Sequence, residues 1–256
     1  MTKLVLVSLT SLAAVGAVQP QPEADPAPAA RTLADYPFEV GERLEYSAKF
    51  GVIRVGDASI NVAQVDTLRG EPTFLFRFRL AGGNFLFKID NTIESWTTVA
   101  DFSSLRFRSD SKENDKVYLR EYDIFPDSGF YRQRGKDNRE PTPEQPLDDA
   151  SLLYFVRTTP LEVGQTYRFN KYFIQDKNPL VIRVLKRERM ELPDGSKVDC
   201  LLLNPVIDDK GMFADRAEAR LWVTDDARRL PVQIRSKFPF GTVTLRLEKV
   251  TRASAD

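Results

Sequence analysis

From Glu42 onward, apolar and polar residues alternate with a period of two. Leu44, Tyr46, Ala48 and Phe50 interleave with Arg43, Glu45, Ser47 and Lys49. Successive side chains of a strand point to opposite faces, so this pattern predicts one buried face and one wet face. Phe74, Phe76, Phe78 and Leu80 repeat it against Arg77 and Arg79. Ala217, Ala219, Leu221 and Val223 do so against Glu218 and Arg220, and Val243, Leu245 and Leu247 against Thr244, Arg246 and Glu248. Less regular strands are expected over 57–65, 85–97, 105–111, 117–124, 129–133, 166–174, 180–186, 198–206 and 231–235.

Turn chemistry punctuates these runs. In Leu192-Pro193-Asp194-Gly195-Ser196 the proline presets φ and the glycine is free to take positive φ, which predicts a hairpin. Residues 81–84 and 126–129 read the same way, and Gly51 and Gly56 bracket a short crossing of Val52-Ile53-Arg54-Val55. One segment departs from the period of two. Asp148 or Asp149 can cap a helix whose apolar positions Leu152, Leu153 and Phe155 or Val156 share one side. Arg157 suits its C-terminal end and Pro160 stops it. The expected fold is all-β and mainly antiparallel: one domain over 37–252, a large curved sheet forming a half-barrel or barrel, with one short helix near 149–157. A two-sheet sandwich also satisfies the pattern. Phe38-Glu39-Val40-Gly41-Glu42-Arg43-Leu44 echoes Leu161-Glu162-Val163-Gly164-Gln165-Thr166-Tyr167, a match of three identical residues. It fits either two similar halves of one sheet or chance.

Composition supports strands, with 17 Phe and 8 Tyr among 256 residues, since aromatic rings pack well on a pleated surface. Lys+Arg and Asp+Glu both number 37, and this balance gives no pull toward nucleic acid or toward an anionic membrane surface. Residues 1–17 read as a signal peptide: Lys3 supplies the positive start, and Leu4 to Val18 carry no charge. That run is short for a membrane span. An uncleaved anchor is the competing reading. A lipoprotein anchor would need a cysteine near the cut, and none is there. Residues 18–36 form a Pro/Ala-rich spacer, extended because proline fixes φ and lacks a donor. The protein is therefore expected to be exported and periplasmic, or envelope-associated or secreted, with peripheral or no membrane association.

Chemistry is scarce. The chain has no histidine, which removes Ser-His-Asp and Cys-His nucleophile systems and every imidazole zinc site. Its one cysteine, Cys200, reads as a small buried hydrophobe. Asp225 and Asp226 read as a solvated turn with Asp–Arg pairs. Asp148 and Asp149 read as a cap rather than an acid pair. Asp208, Asp209 and Asp215 around Gly211 match no calcium loop. Arg77, Arg79, Arg106, Arg108, Lys116 and Arg120 read as charged surface. No catalytic residue, metal site or cofactor is assigned. If the sheet curls without filling its interior, Tyr46, Phe74, Phe76, Phe78, Phe85 and Phe87 are the candidates to line an apolar cavity.

The opening Phe38–Tyr46, the Gly51–Ala58 turn and strand, the Asp149–Arg157 helix followed by Leu161-Glu162-Val163-Gly164, and Leu221-Trp222-Val223-Thr224-Asp225 with Arg228-Arg229-Leu230-Pro231-Val232 together resemble one bacterial envelope family. It is catalogued as domain of unknown function 3108. The resemblance spans roughly residues 38–250. It implies an exported antiparallel β protein and carries no activity or site residues. The expected function is a non-enzymatic envelope protein that binds a lipid or lipid-linked glycan in a curved sheet. Two alternatives stand beside it. One is a scaffold or assembly module that binds an envelope protein or glycan through an outer face or sheet edge. The other is a glycan hydrolase, which would need two carboxylates about 5–10 Å apart across a cleft.

Overall fold

A computed structural model describes residues 30–83, 88–208, 213, 217–238 and 241–252. The signal segment, most of the spacer, Phe85, Phe87, Asp209, Gly211 and Asp215 lie outside these described residues. The strands are β1 (Arg43–Phe50), β2 (Ile53–Leu68), β3 (Glu71–Gly83), β4 (Lys88–Thr98), β5 (Ser104–Glu113), β6 (Lys116–Phe125), β7 (Phe130–Gln133) and β8 (Glu140–Pro141). After helix α1 (Asp149–Thr158) come β9 (Thr166–Phe169), β10 (Leu180–Glu191), β11 (Lys197–Val206), β12 (Arg220–Thr224), β13 (Pro231–Phe238) and β14 (Gly241–Thr251).

All fourteen form one antiparallel sheet in the order β8-β7-β6-β5-β4-β3-β2-β1-β14-β13-β12-β11-β10-β9. First and last strands pair at its centre, from Arg43 opposite Thr251 to Phe50 opposite Val243. The chain therefore meanders out to β8, crosses through α1, and meanders back from β9. The edges β8 and β9 do not pair, so the sheet curls without closing. An isolated parallel bridge, Leu147 to Tyr172, ties the two sides. Its bonds run from the Phe173 N–H to the Leu147 carbonyl at 2.9 Å and from the Leu147 N–H to the Lys171 carbonyl at 2.5 Å.

Several expected boundaries are corrected. Val52–Val55 is no separate crossing: Ile53 already begins β2, which runs unbroken to Leu68. Residues 81–83 are not a turn but the end of β3, because Gly56 and Gly82 face each other and let the two backbones nearly touch. The strand expected over 166–174 ends at Phe169, and 170–174 leaves the sheet to bond with Leu147 and Thr142. The hairpin at 192–196 and the helix over Asp149–Thr158 form as expected. Asp148 is the cap, accepting from the Ala150 and Ser151 N–H groups.

The sequence echo has a structural counterpart. Gly41 and Gly164 share φ 87°. The Gly41 N–H donates to Val62 and the Gly164 N–H to Val184, both at 2.8 Å. A bulge follows each acceptor, at Val62/Gln64 and Val184/Lys186. Farther along, Trp96 on β4 donates to Asp66 of β2, and Trp222 on β12 donates to Glu188 of β10. The Thr98 and Thr224 hydroxyls each receive a backbone N–H from across the next turn. Strands β1–β5 and β9–β13 are thus two versions of one arrangement.

Candidate functional site

The curl brings the predicted aromatic set together. Tyr46 on β1 and Phe74, Phe76 and Phe78 on β3 all point inward and are buried. They do not line a void. The cross-sheet connection runs through the interior, and α1 packs there against β3 and β4. The Phe76 ring stacks on Tyr154 of α1, and Phe74 packs on Phe76, Tyr36 and Phe38. The Tyr46 hydroxyl donates to the Pro231 carbonyl at 2.8 Å. The gap lined by Leu44, Ile60, Leu153, Tyr154, Arg157 and Pro231 has no room for a water molecule. Among the described residues the candidate rings are core. The sequence could show their inward spacing but not that the helix between β8 and β9 would occupy the same space.

Two polar clusters fix that helix. At its N-terminus, the fully buried Asp148 accepts from the Ala150 and Ser151 N–H groups, each at 3.0 Å, and from the Ser95 hydroxyl at 2.6 Å. Its N–H donates to the Ser151 Oγ, which meets Ser104 at 3.0 Å. Burial pushes the Asp148 carboxyl up to about 6, against the opposing pull of these donors. At the C-terminus, Arg157 forms a buried two-pronged pair with Glu42. It also donates to the Arg228 and Pro37 carbonyls at 3.1 and 3.0 Å. Its guanidinium lies over Phe38. One side chain thus joins α1, the segment before β1, and the β12–β13 hairpin.

The other singled-out residues have structural surroundings. Asp226 binds Thr224 and Arg228, and Asp225 binds Arg187 and Arg229, as a charged turn. Arg77, Arg79, Arg106 and Arg108 pair with Glu94, Asp90, Asp123 and Asp110. Cys200 is buried beside Leu202, Trp222 and Val232 in a second cluster, and burial pushes its thiol up to about 12. It is held as an inert thiol.

Burial fails at one end of the sheet. In an antiparallel meander alternate connections lie at the same end, so the β1–β2 and β5–β6 hairpins emerge together. The register Gly56–Gly82–Ile89–Glu113–Lys116 places them level. Six of the ten large hydrophobic side chains most exposed among the described residues sit on these hairpins: Phe50, Val52, Ile53, Val117, Tyr118 and Leu119. Val52 is 92% exposed, Ile53 66% and Val117 65%. Across from β5, β6 pairs with β7 only from Tyr122 onward, which leaves the edge from Lys116 to Arg120 without a strand among the described residues. The sequence did carry a signal here: Val117-Tyr118-Leu119 is a run of three apolar residues where alternation should have put a polar one.

The model of the family described as protein of unknown function (DUF3108) matches residues 45–248. Among solved structures, the chain is similar to a β-barrel-like protein of another domain of unknown function, DUF1849, from Brucella abortus. That match has a TM-score of 0.55 and 11% identity, and covers 84% of this chain and 99% of that one. A hypothetical protein from Chlamydia trachomatis aligns at a TM-score of 0.33 and 8% identity, over 83% and 89% of the two chains. No curated protein matches the sequence. The likeness to the Brucella protein concerns the fold alone.

Proposed function

Since the chain belongs to the DUF3108 family of proteins of unknown function, we propose a reading drawn from its surface: a non-enzymatic, exported envelope protein that engages an apolar or amphipathic partner at the exposed end of its sheet. The observation that carries this is the gathering of Phe50, Val52, Ile53, Val117, Tyr118 and Leu119 at that end. Apolar side chains scattered singly need no explanation, but a group on projecting hairpins marks a contact surface. The filled interior argues in the same direction, since a ligand held inside would have to displace α1. Lys112, Lys116 and Arg120 flank the group, and no carboxylate lies within 4.0 Å of them among the described residues. They suit anionic headgroups beside an acyl layer. No helix among the described residues is long and apolar enough to cross a membrane. In this reading, contact comes from the hairpin ends resting on the lipid.

Vesicle flotation of the chain lacking residues 1–17 tests this. Binding to phosphatidylglycerol vesicles is expected, with loss of most of it in V52D/I53D at unchanged melting temperature. Equal flotation of the two proteins overturns the reading. A second reading, an assembly module that binds an extended protein segment, is favoured by the strandless β6 edge, because such an edge is a template for another strand. A protein partner retained by V52D/I53D and lost on L119D would select it.

A further inference from the structure

Beyond the helix, the inner face of β4, β5 and β6 turns polar. Ser95, Phe107 and Tyr122 share one row across these strands, at the level where Ser95 bonds Asp148. Two residues nearer the apolar end the row reads Ile93, Ser109 and Arg120. Two nearer still it reads Asn91, Ser111 and Tyr118, and Glu113 opposite Lys116 follows. Positions two apart on a strand share a face, so all of these lie on the side that carries the core. Four residues are about 13 Å of strand, and burial falls away over that distance. Ser95 and Phe107 are buried, Ile93, Asn91 and Ser111 are half-buried, and Tyr118 and Arg120 are exposed. The helix that fills the interior does not cover this patch.

The outer faces of the neighbouring strands pair their charges, Arg77 with Glu94, Arg79 with Asp90 and Arg106 with Asp123. The inner patch does not. Among the described residues the side chains of Asn91, Ser111, Glu113, Tyr118 and Arg120 have no hydrogen-bond or ion-pair partner. They also stand together. Asn91 is the direct partner of Ser111, and Ser111 of Tyr118. Direct partners on one face are about 5 Å apart. The sheet is concave on this side, so their side chains lean toward one another. The chemistry of the patch narrows the occupant. The Asn91 Oδ1 is enclosed and lacks a donor. Glu113 also accepts, whereas Arg120 only donates. A phosphate dianion has nothing to donate to Asn91 or Glu113. A ligand that donates and accepts at several points, and offers a face to the Tyr118 ring, is a sugar.

We propose that this inner groove holds the sugar headgroup of a glycolipid, with Asn91, Ser111, Glu113 and Arg120 on its hydroxyls and the Tyr118 ring against one face. The proposal rests on the reading of the hairpin tips as a lipid contact. Glu113 and Lys116 stand level with those tips, and the Asn91 row lies two residues behind them, about 7 Å. A headgroup whose chains lie in the layer touched by Val52 and Ile53 is brought to that depth.

The probes are phosphatidylglycerol vesicles with and without glucosyl diacylglycerol, and methyl glucoside in solution, each with the chain lacking residues 1–17. The wild-type protein is expected to float on both kinds of vesicle, half-saturating at about tenfold less lipid when the glycolipid is present, the scale of one or two hydrogen bonds. N91L/S111V is expected to float equally on the two, at the wild-type level for phosphatidylglycerol alone. Its melting temperature is checked first, and if it falls, S111A replaces the double variant. V52D/I53D is expected to lose flotation on both vesicles and still show saturation transfer to methyl glucoside by NMR, which N91L/S111V should not. The two readings therefore fail separately. Flotation unchanged in V52D/I53D overturns the lipid contact. Transfer to methyl glucoside without a vesicle preference upholds the groove and overturns its lipid source. A preference that N91L/S111V removes upholds the groove even where the free sugar binds too weakly for transfer. Absence of both preference and transfer, or N91L/S111V behaving as wild type, overturns the groove.

Discussion

The ring of Tyr154 lies flat on that of Phe76, with centroids 3.9 Å apart and planes 13° apart. This contact is where the helix crossing between the sheet edges meets the strand that carries Phe74, Phe76 and Phe78. The Tyr154 hydroxyl is buried and has no hydrogen-bond partner among the described residues. Its desolvation is therefore uncompensated, which costs on the order of 1–3 kcal/mol. Tyr154→Phe keeps the ring contact and removes that penalty. Thermal unfolding should show the variant more stable by about 1 kcal/mol. Tyr154→Ala, which empties the stack, should lose about 3–5 kcal/mol. A destabilised Tyr154→Phe would show that the hydroxyl has a partner after all.

Gly56 and Gly82 face each other across β2 and β3. A Cβ on Gly56 would sit 2.2 Å from the Ala81 carbonyl oxygen, and one on Gly82 would sit 2.3 Å from that of Val55. Backbone cannot step aside as a side chain can. Gly56→Ala should cost about 3 kcal/mol or more. Gly70→Asn is the control: it has positive φ but open space around it, and asparagine tolerates the left-handed region. Circular dichroism melts should separate the two clearly, and a mild Gly56→Ala would mean that the strands can part there.

These glycines also show where sequence reading ran out. Alternation located β1, β3 and β14 because one face of each is buried along the strand. Gly82 and Gly83 read as a turn in the sequence because glycine at a hairpin tip and glycine at a close backbone approach look alike without the neighbouring strand. The echo of Gly41 and Gly164 was legible as residues. Its confirmation needed the long-range bonds to Val62 and Val184, which no local pattern contains. The inward set of Tyr46, Phe74, Phe76 and Phe78 was legible for the same reason as the strands. Whether they line a cavity or a core depends on α1, and its Asp148 cap was legible but its docking place was not.

Arg157 and Glu42 form the buried pair that closes the other end of α1. Removing one partner leaves a buried charge unpaired, and for Arg157 it also frees the Pro37 and Arg228 carbonyls. Arg157→Met should therefore cost about 3–5 kcal/mol. Glu42→Gln/Arg157→Met should cost less than the sum of its single variants, because neither charge is left alone. Urea denaturation of the four proteins measures the coupling, and strict additivity would rule out the pair as an energetic unit.

Asp148 predicts a pH dependence whose sign is fixed by its burial. Its carboxyl is raised from 3.8 to about 6 in the folded chain, so folding draws a proton onto it. The unfolded chain gives up that proton near pH 4, while the folded chain holds it until about pH 6. The group's contribution is fully present below about pH 4 and is lost as pH climbs through about 6. A shift of about two units corresponds to about 3 kcal/mol. Asp226 and Glu188 run the opposite way, because their hydrogen-bonded carboxylates are held below the usual range. The whole-protein curve therefore mixes both signs, and the clean quantity is a difference. Asp148→Asn keeps an acceptor for the Ala150 and Ser151 N–H groups and cannot ionise. Stability of the wild-type protein relative to this variant should fall between pH 4 and pH 7 by up to about 3 kcal/mol, read from urea midpoints at closely spaced pH values. Parallel curves would mean that Ser95, Ala150 and Ser151 hold the carboxylate ionised down to acid pH, and that the three bonds outweigh its burial.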